Sequence, residues 1–180
     1  MNKKHTAPVH QISLRVVKLS ELFNSMDPTP FQNRDLDPDA HEFIESWAVA
    51  YPSTSHFRIH IHIVEMPAED PTAMVVDAIH NYFSYKAEMT RRSLALLLRE
   101  GRTSLLIGLG FLAACLAGAD MLPQEATNPA LRVLREGLMI VGWVAMWRPL
   151  QLFLYEWWPL ARRIRILRSL SAASVHVVQA

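Results

Sequence analysis

TSLLIGLGFLAACLAGADML (residues 103–122) and GLMIVGWVAMWRPLQLFLYEWWPL (residues 137–160) are the two stretches that decide how this chain is built. A helix rises 1.5 Å per residue, so about 20 apolar residues cross the roughly 30 Å of bilayer hydrocarbon. Each stretch is long enough, and a short polar segment joins them. They predict a transmembrane helical hairpin. The alternative, two buried helices of a soluble bundle, is disfavoured because no long polar face interrupts the first stretch.

Orientation follows from the flanking charges. Lys86, Arg91, Arg92, Arg99 and Arg102 precede the first stretch, and Arg162, Arg163, Arg165 and Arg168 follow the second. The connecting loop, residues 123–136, holds only Arg132 and Arg135, partly offset by Glu125 and Glu136. Basic residues beside spans stay on the cytoplasmic side. Both termini are therefore expected inside and the loop outside. Met1-Asn2-Lys3-Lys4 is basic, but no apolar core follows it, so no signal peptide is expected.

Whole-chain averages conceal this division. The 180 residues have 19% charged side chains, a net charge of +1 and a mean hydropathy of +0.10, values typical of a soluble domain. Such a balance, with no basic stripe interleaved with aromatics outside the membrane flanks, argues against nucleic acid as a partner. Cys115 is the sole cysteine and lies within the first apolar stretch, which excludes an intrachain disulfide.

The polar half reads as a small α/β module. Residues 11–19 predict a strand with Ile12, Leu14 and Val16 on one face. Residues 57–64 alternate more cleanly, with Phe57, Ile59, Ile61 and Ile63 opposite Arg58, His60 and His62. Residues 20–26 suit a short helical turn, and Asp27-Pro28-Thr29-Pro30 a loop. Asp37-Pro38 sets an N-cap and a first-turn proline for a helix to about Ala50. Asp70-Pro71 opens a second helix that meets no proline before Pro123, so it is expected to continue into the first span. A two-stranded sheet alone is marginal in water. The tail Ser174-Val175-His176-Val177-Val178 is therefore predicted to return as a third strand, and the first two strands to pair in parallel. The fold class is α+β with a membrane part: a cytoplasmic module over 1–100, a hairpin over 101–161 and a basic tail over 162–180.

Several residues are candidates for function. Gly110, Ala114 and Gly118 lie four apart on one helical face, a spacing that lets helices approach closely. Arg148 falls near the middle of the second stretch, where an arginine costs on the order of 2.5–3.5 kcal/mol. No acid of the first span stands at its depth, since Asp120 belongs at the outer end. Glu156 is roughly 12 Å away along the axis, and Gln151, one turn away, is the nearer hydrogen-bond partner. Arg148 is thus expected to meet an acid on a partner protein, to line a polar cavity, or to reach water where the helix bends at Pro149. Trp157 and Trp158, just ahead of Arg162 and Arg163, suit an aromatic belt that anchors the helix at the inner interface.

His60 and His62 share a strand face at a spacing that can hold zinc or another divalent metal, with His56, His80 and Glu65 as further donors. Two solvated histidines on a polar strand are the plainer account. Asp27, Asp35, Asp37 and Asp39 are read first as turn and cap residues. No glycine-rich phosphate loop, nucleophile elbow or paired-cysteine motif occurs. No catalytic residue or bound cofactor is expected.

The run Trp147-Arg148-Pro149-Leu150-Gln151-Leu152-Phe153-Leu154-Tyr155-Glu156-Trp157-Trp158-Pro159 resembles a family of small bacterial membrane proteins. Members share a Trp-x-Pro stretch followed by Leu-Tyr-acid-Trp-Trp-Pro. The segment from Leu22-Phe23-Asn24-Ser25 through Pro28-Thr29-Pro30-Phe31 to Arg34-Asp35-Leu36-Asp37 is similar to that family's N-terminal pattern. The resemblance implies two spans, a cytoplasmic α/β part and an inner-membrane location, and it implies no activity. It also implies a glutamate where this chain has Gln151. The expected role is that of an accessory, scaffold or sensing subunit, with the lipid bilayer and either further copies of itself or another membrane protein as partners. A metal-binding protein or enzyme using His60 and His62, and a small transporter or channel subunit, are the alternatives.

Overall fold

The computed structural model describes residues 9–24, 34–68, 70–123 and 128–180. The chain forms two compact units, Met1–Arg91 with Ala161–Ala180, and Arg92–Leu160. In chain order the elements are β1 (Val9–Lys18), α1 (Pro38–Val49), β2 (His56–Glu65), α2 (Thr72–Asp120), α3 (Pro129–Ala145), α4 (Trp147–Gln151), α5 (Trp157–Ser171) and β3 (Ser174–Gln179). A 3-10 turn, Leu19–Leu22, follows β1, and a π turn, Leu152–Glu156, separates α4 from α5.

In the first unit the strands form one sheet in the order β1-β2-β3, both pairs parallel. The C-terminal tail does supply the third strand. Phe57, Ile59, Ile61 and Ile63 are all but fully buried, as the alternation in β2 predicts. They pack with Ile12, Leu14 and Val175 against Ile44 of α1, Ile79 and Phe83 of α2, and Ile166 and Leu170 of α5. Each such isoleucine contributes on the order of 1.5–3 kcal/mol. All three helices lie on one face of the sheet.

The helix starts follow from local chemistry. Asp37 Oδ1 accepts a 3.0 Å hydrogen bond from the Asp39 N–H, with Pro38 in the first turn where no N–H is required. Asp70 Oδ1 likewise accepts from the Thr72 N–H at 3.0 Å and the Thr72 hydroxyl at 2.6 Å. From there α2 runs 49 residues without a break. The Asp27–Pro30 loop lies outside the described residues.

Two helical rods are long and apolar enough to cross a membrane, Thr72–Asp120 and Pro129–Ser171. In the second unit their packing seam is set by glycines. A Cβ on Gly142 would stand 3.0 Å from Cys115 Cβ and from Leu112 Cδ1. One on Gly108 would come within 3.1 Å of the Ala145 carbonyl oxygen, and one on Gly101 within 3.1 Å of the Phe153 ring. Leu112, Cys115 and Ala119 are buried in this seam. Gly110 and Ala114 are not. A Cβ on Gly110 would meet nothing within 4 Å and Ala114 is exposed, while a Cβ on Gly118 would stand 3.6 Å from Leu138 Cδ1. The close-packing stripe is thus rotated from the one predicted. Large side chains at Leu112, Leu138 and Phe153 fit over glycines on the opposite rod, and that complementarity, absent from a simple four-residue spacing, fixes the facing side.

Candidate functional site

Arg148 is the residue whose surroundings differ most from expectation. Its Nη1 donates to Glu156 Oε1 at 2.6 Å and its Nη2 to Glu100 Oε1 at 3.1 Å. Eight residues of ideal helix leave two side chains about 80° apart around the axis. The π turn Leu152–Glu156 inserts one extra residue, which takes out about 100° and swings Glu156 to the Arg148 side. Two long side chains then span the remaining axial separation. Glu100 reaches Arg148 because the seam sets Gly108 against Pro149 and Gly101 against Phe153. Arg148 therefore stands level with the polar edge of the first apolar stretch, three residues ahead of Thr103, rather than mid-stretch. An isolated arginine in need of an outside acid is replaced by a guanidinium held between two carboxylates.

Gln151 does not take part. It faces outward with Trp147, Leu150, Leu154 and Tyr155 around a shallow cavity of about 400 Å³. Trp157 and Trp158 are exposed, and the Trp157 indole N–H donates to the Phe153 carbonyl at 2.8 Å. That bond fixes the Trp157 ring against the turn that orients Glu156.

The histidines sort to different places. Parallel register sets His60 beside Ser13 on one side and His176 on the other, with the two imidazole centroids 5.2 Å apart. His62 stands beside Arg15 and Val178. His80 Nε2 instead pairs with the Ala173 carbonyl at 2.8 Å, and Glu65 pairs with Lys18 at 3.5 Å. His80 and Glu65 are thus engaged with partners other than His60 and His62. Among the described residues no three metal-ligating side chains converge. Burial, then the charges of His176, Arg58 and His62, hold the His60 imidazolium less stable than usual.

A cluster that the sequence reading missed lines an open cleft of about 750 Å³ in the first unit. On α1, His41 Nε2 lies 2.9 Å from Glu45 Oε2, the ordinary i,i+4 neighbour on a helix. Arg163 of α5 grips the same carboxylate with two hydrogen bonds, Nε to Oε1 at 2.5 Å and Nη2 to Oε2 at 2.8 Å. The His41 hydrogen bond, with the Arg163 fork, holds the Glu45 carboxyl down to about 2 against the opposing effect of burial. Burial, with the negative charges of Asp35 and Glu45, pushes the Tyr82 phenol well up. Lys86 lies 5.2 Å from the Tyr82 ring centroid. Arg162 adds a hydrogen bond to the Val49 carbonyl at 2.9 Å. Both oxygens of Glu45 are occupied and Tyr82 keeps its proton. Chemically it is a latch that fastens α1 to α5. The His41–Glu45 spacing was visible in the sequence. Arg163, 118 positions from Glu45, was not.

Compared with known proteins, the chain matches no family profile, no curated protein and no solved structure.

Proposed function

We propose that this chain is an integral protein of the bacterial inner membrane, with both termini in the cytoplasm, acting as a non-enzymatic accessory, scaffold or sensing subunit of a larger assembly. The observation that carries the membrane reading is where the apolar side chains point. Only 22% and 17% of the apolar windows in the two rods are buried. Leu106, Ile107, Ile140, Trp143, Val144 and Trp147 all face outward. A core helix of a soluble protein buries such residues; outward apolar faces on paired helices suit lipid as the solvent. The charge asymmetry about the rods supports the orientation.

The subunit reading rests on what the α/β module offers. Among the described residues its sheet is covered on one face only, and the other face presents Arg15 and Arg58 without an acidic partner. Those are the marks of a surface built to be joined. Topology is tested by replacing Cys115 with serine and placing single cysteines at Pro129 and at Ala180. A membrane-impermeant maleimide should label position 129 on intact spheroplasts and position 180 only after permeabilisation. Labelling in the reverse order, or of both sites at once, contradicts the reading.

A further inference from the structure

Parallel sheets almost always have both faces covered. Here α1, α2 and α5 occupy one face, and among the described residues nothing covers the other. The register lays that face out in rows: Gln11, Arg58 and Ser174; Ser13, His60 and His176; Arg15, His62 and Val178. His56 stands at the start of β2. No aspartate or glutamate occupies any of these positions. Lys18 and Glu65, paired with each other, end β1 and β2 on the opposite parity. Arg15, Arg58, His56, His60, His62 and His176 are thus the titratable groups facing outward, and among the described residues neither Arg15 nor Arg58 has an acidic partner. Val17, Val64 and Val178 continue the same face as an apolar strip along the C-terminal ends of the strands, 48%, 39% and 42% exposed.

We propose that the open face of this sheet is the docking surface for an acidic amphipathic segment of a partner protein, its carboxylates over Arg15, Arg58 and the histidines and its apolar side chains on the Val17–Val64–Val178 strip. This deepens the subunit reading and rests on it. Charge complementarity selects an acidic occupant, and the valine strip selects a polypeptide over a polyanion, because a polyanion leaves those valines in water. Burial, and then the charges of His176, Arg58 and His62, favour the neutral form of His60 in the free protein. Carboxylates laid over the face reverse that balance, so docking tightens as pH falls.

The test uses the full chain in nanodiscs of neutral lipid, with a fluorescent helical leucine–glutamate peptide and its leucine–lysine counterpart as probes. The acidic peptide should bind, roughly tenfold more tightly at about pH 5.5 than at about pH 7.5, and the basic one should not. Arg15→Glu with Arg58→Glu should abolish binding. His60→Gln, His62→Gln and His176→Gln together should leave binding near neutral pH and remove its pH dependence. In native membranes, a photo-crosslinker at Ser13 should yield a protein adduct that the double charge reversal removes. Equal binding of both peptides, binding that survives charge reversal, or crosslinks only to lipid or to another copy of this chain overturns the proposal. If charge reversal spares peptide binding while the native assembly remains intact, the face is wrong and the subunit reading stands.

Discussion

Glu100 and Arg148, 48 positions apart, meet through a 3.1 Å hydrogen bond from Nη2 to Oε1. Glu156 completes the contact from the other side. This relationship changes what Arg148 is for. A guanidinium shared by two carboxylates at the polar edge of the rods needs no partner protein, and it ties α2 to α4 at the level where the apolar seam ends.

Arg148→Leu should therefore lower the thermal midpoint of the detergent-solubilised protein without changing which subunits it carries. Glu100→Gln alone should give a smaller loss, and the double variant less than the sum of both, because the two residues share one interaction. Additive losses in that cycle would show that the contact is not formed.

Glycine substitutions separate the two faces of α2 and its partner rod. Gly142→Val must displace Cys115 and Leu112, and overpacking of this kind costs about 1–3 kcal/mol. A Cβ on Gly110 would meet nothing within 4 Å, so Gly110→Val should leave the hairpin's melting temperature close to that of the parent. A larger effect at Gly110 than at Gly142 would contradict the seam.

The latch between α1 and α5 predicts a pH dependence. Folded Glu45 ionises near pH 2 and an unperturbed glutamate near 4.5, so the unfolded chain takes up the proton first as pH falls. The latch's stabilisation is complete above about pH 4.5 and disappears toward pH 2. With Glu45 12% exposed but Arg163 half exposed, about 1–2 kcal/mol is a reasonable size after allowing for solvent screening. Glu45→Gln should lose that amount near neutral pH and flatten the acid limb of the stability curve, measured by chemical denaturation.

Cys115 supplies an internal reporter. Its side chain sits in the seam against the Gly142 backbone and is 6% exposed. A membrane-permeant maleimide should react slowly with the folded protein and rapidly once the hairpin is unfolded. Gly142→Val should speed the reaction, because it wedges the seam open. Fast labelling of the native protein would mean that the rods do not pack through this side.

Much of the module was legible in the sequence because its determinants are local. Period-two alternation marked β2, Asp37-Pro38 marked the start of α1, and the absence of proline between Pro71 and Pro123 marked the length of α2. The third strand was legible from a physical need, since two strands alone bury too little. The contacts that define the clusters were not local. Glu45 meets Arg163 and Glu100 meets Arg148 only after helices far apart in the chain have packed, and one extra residue in the Leu152–Glu156 turn decides where Glu156 points. Of the small-residue stripe, Gly118 lies against Leu138 of the other rod while Gly110 and Ala114 face outward, for a related reason. Spacing identifies a face on which helices can approach, while the partner's side-chain sizes decide which such face is used.

The most direct measurement is native mass spectrometry of the protein released gently from its own membranes. The account predicts a discrete oligomer or a second polypeptide in fixed ratio, unchanged in size by Arg148→Leu. A bare monomer in every preparation would contradict the assembly-subunit reading.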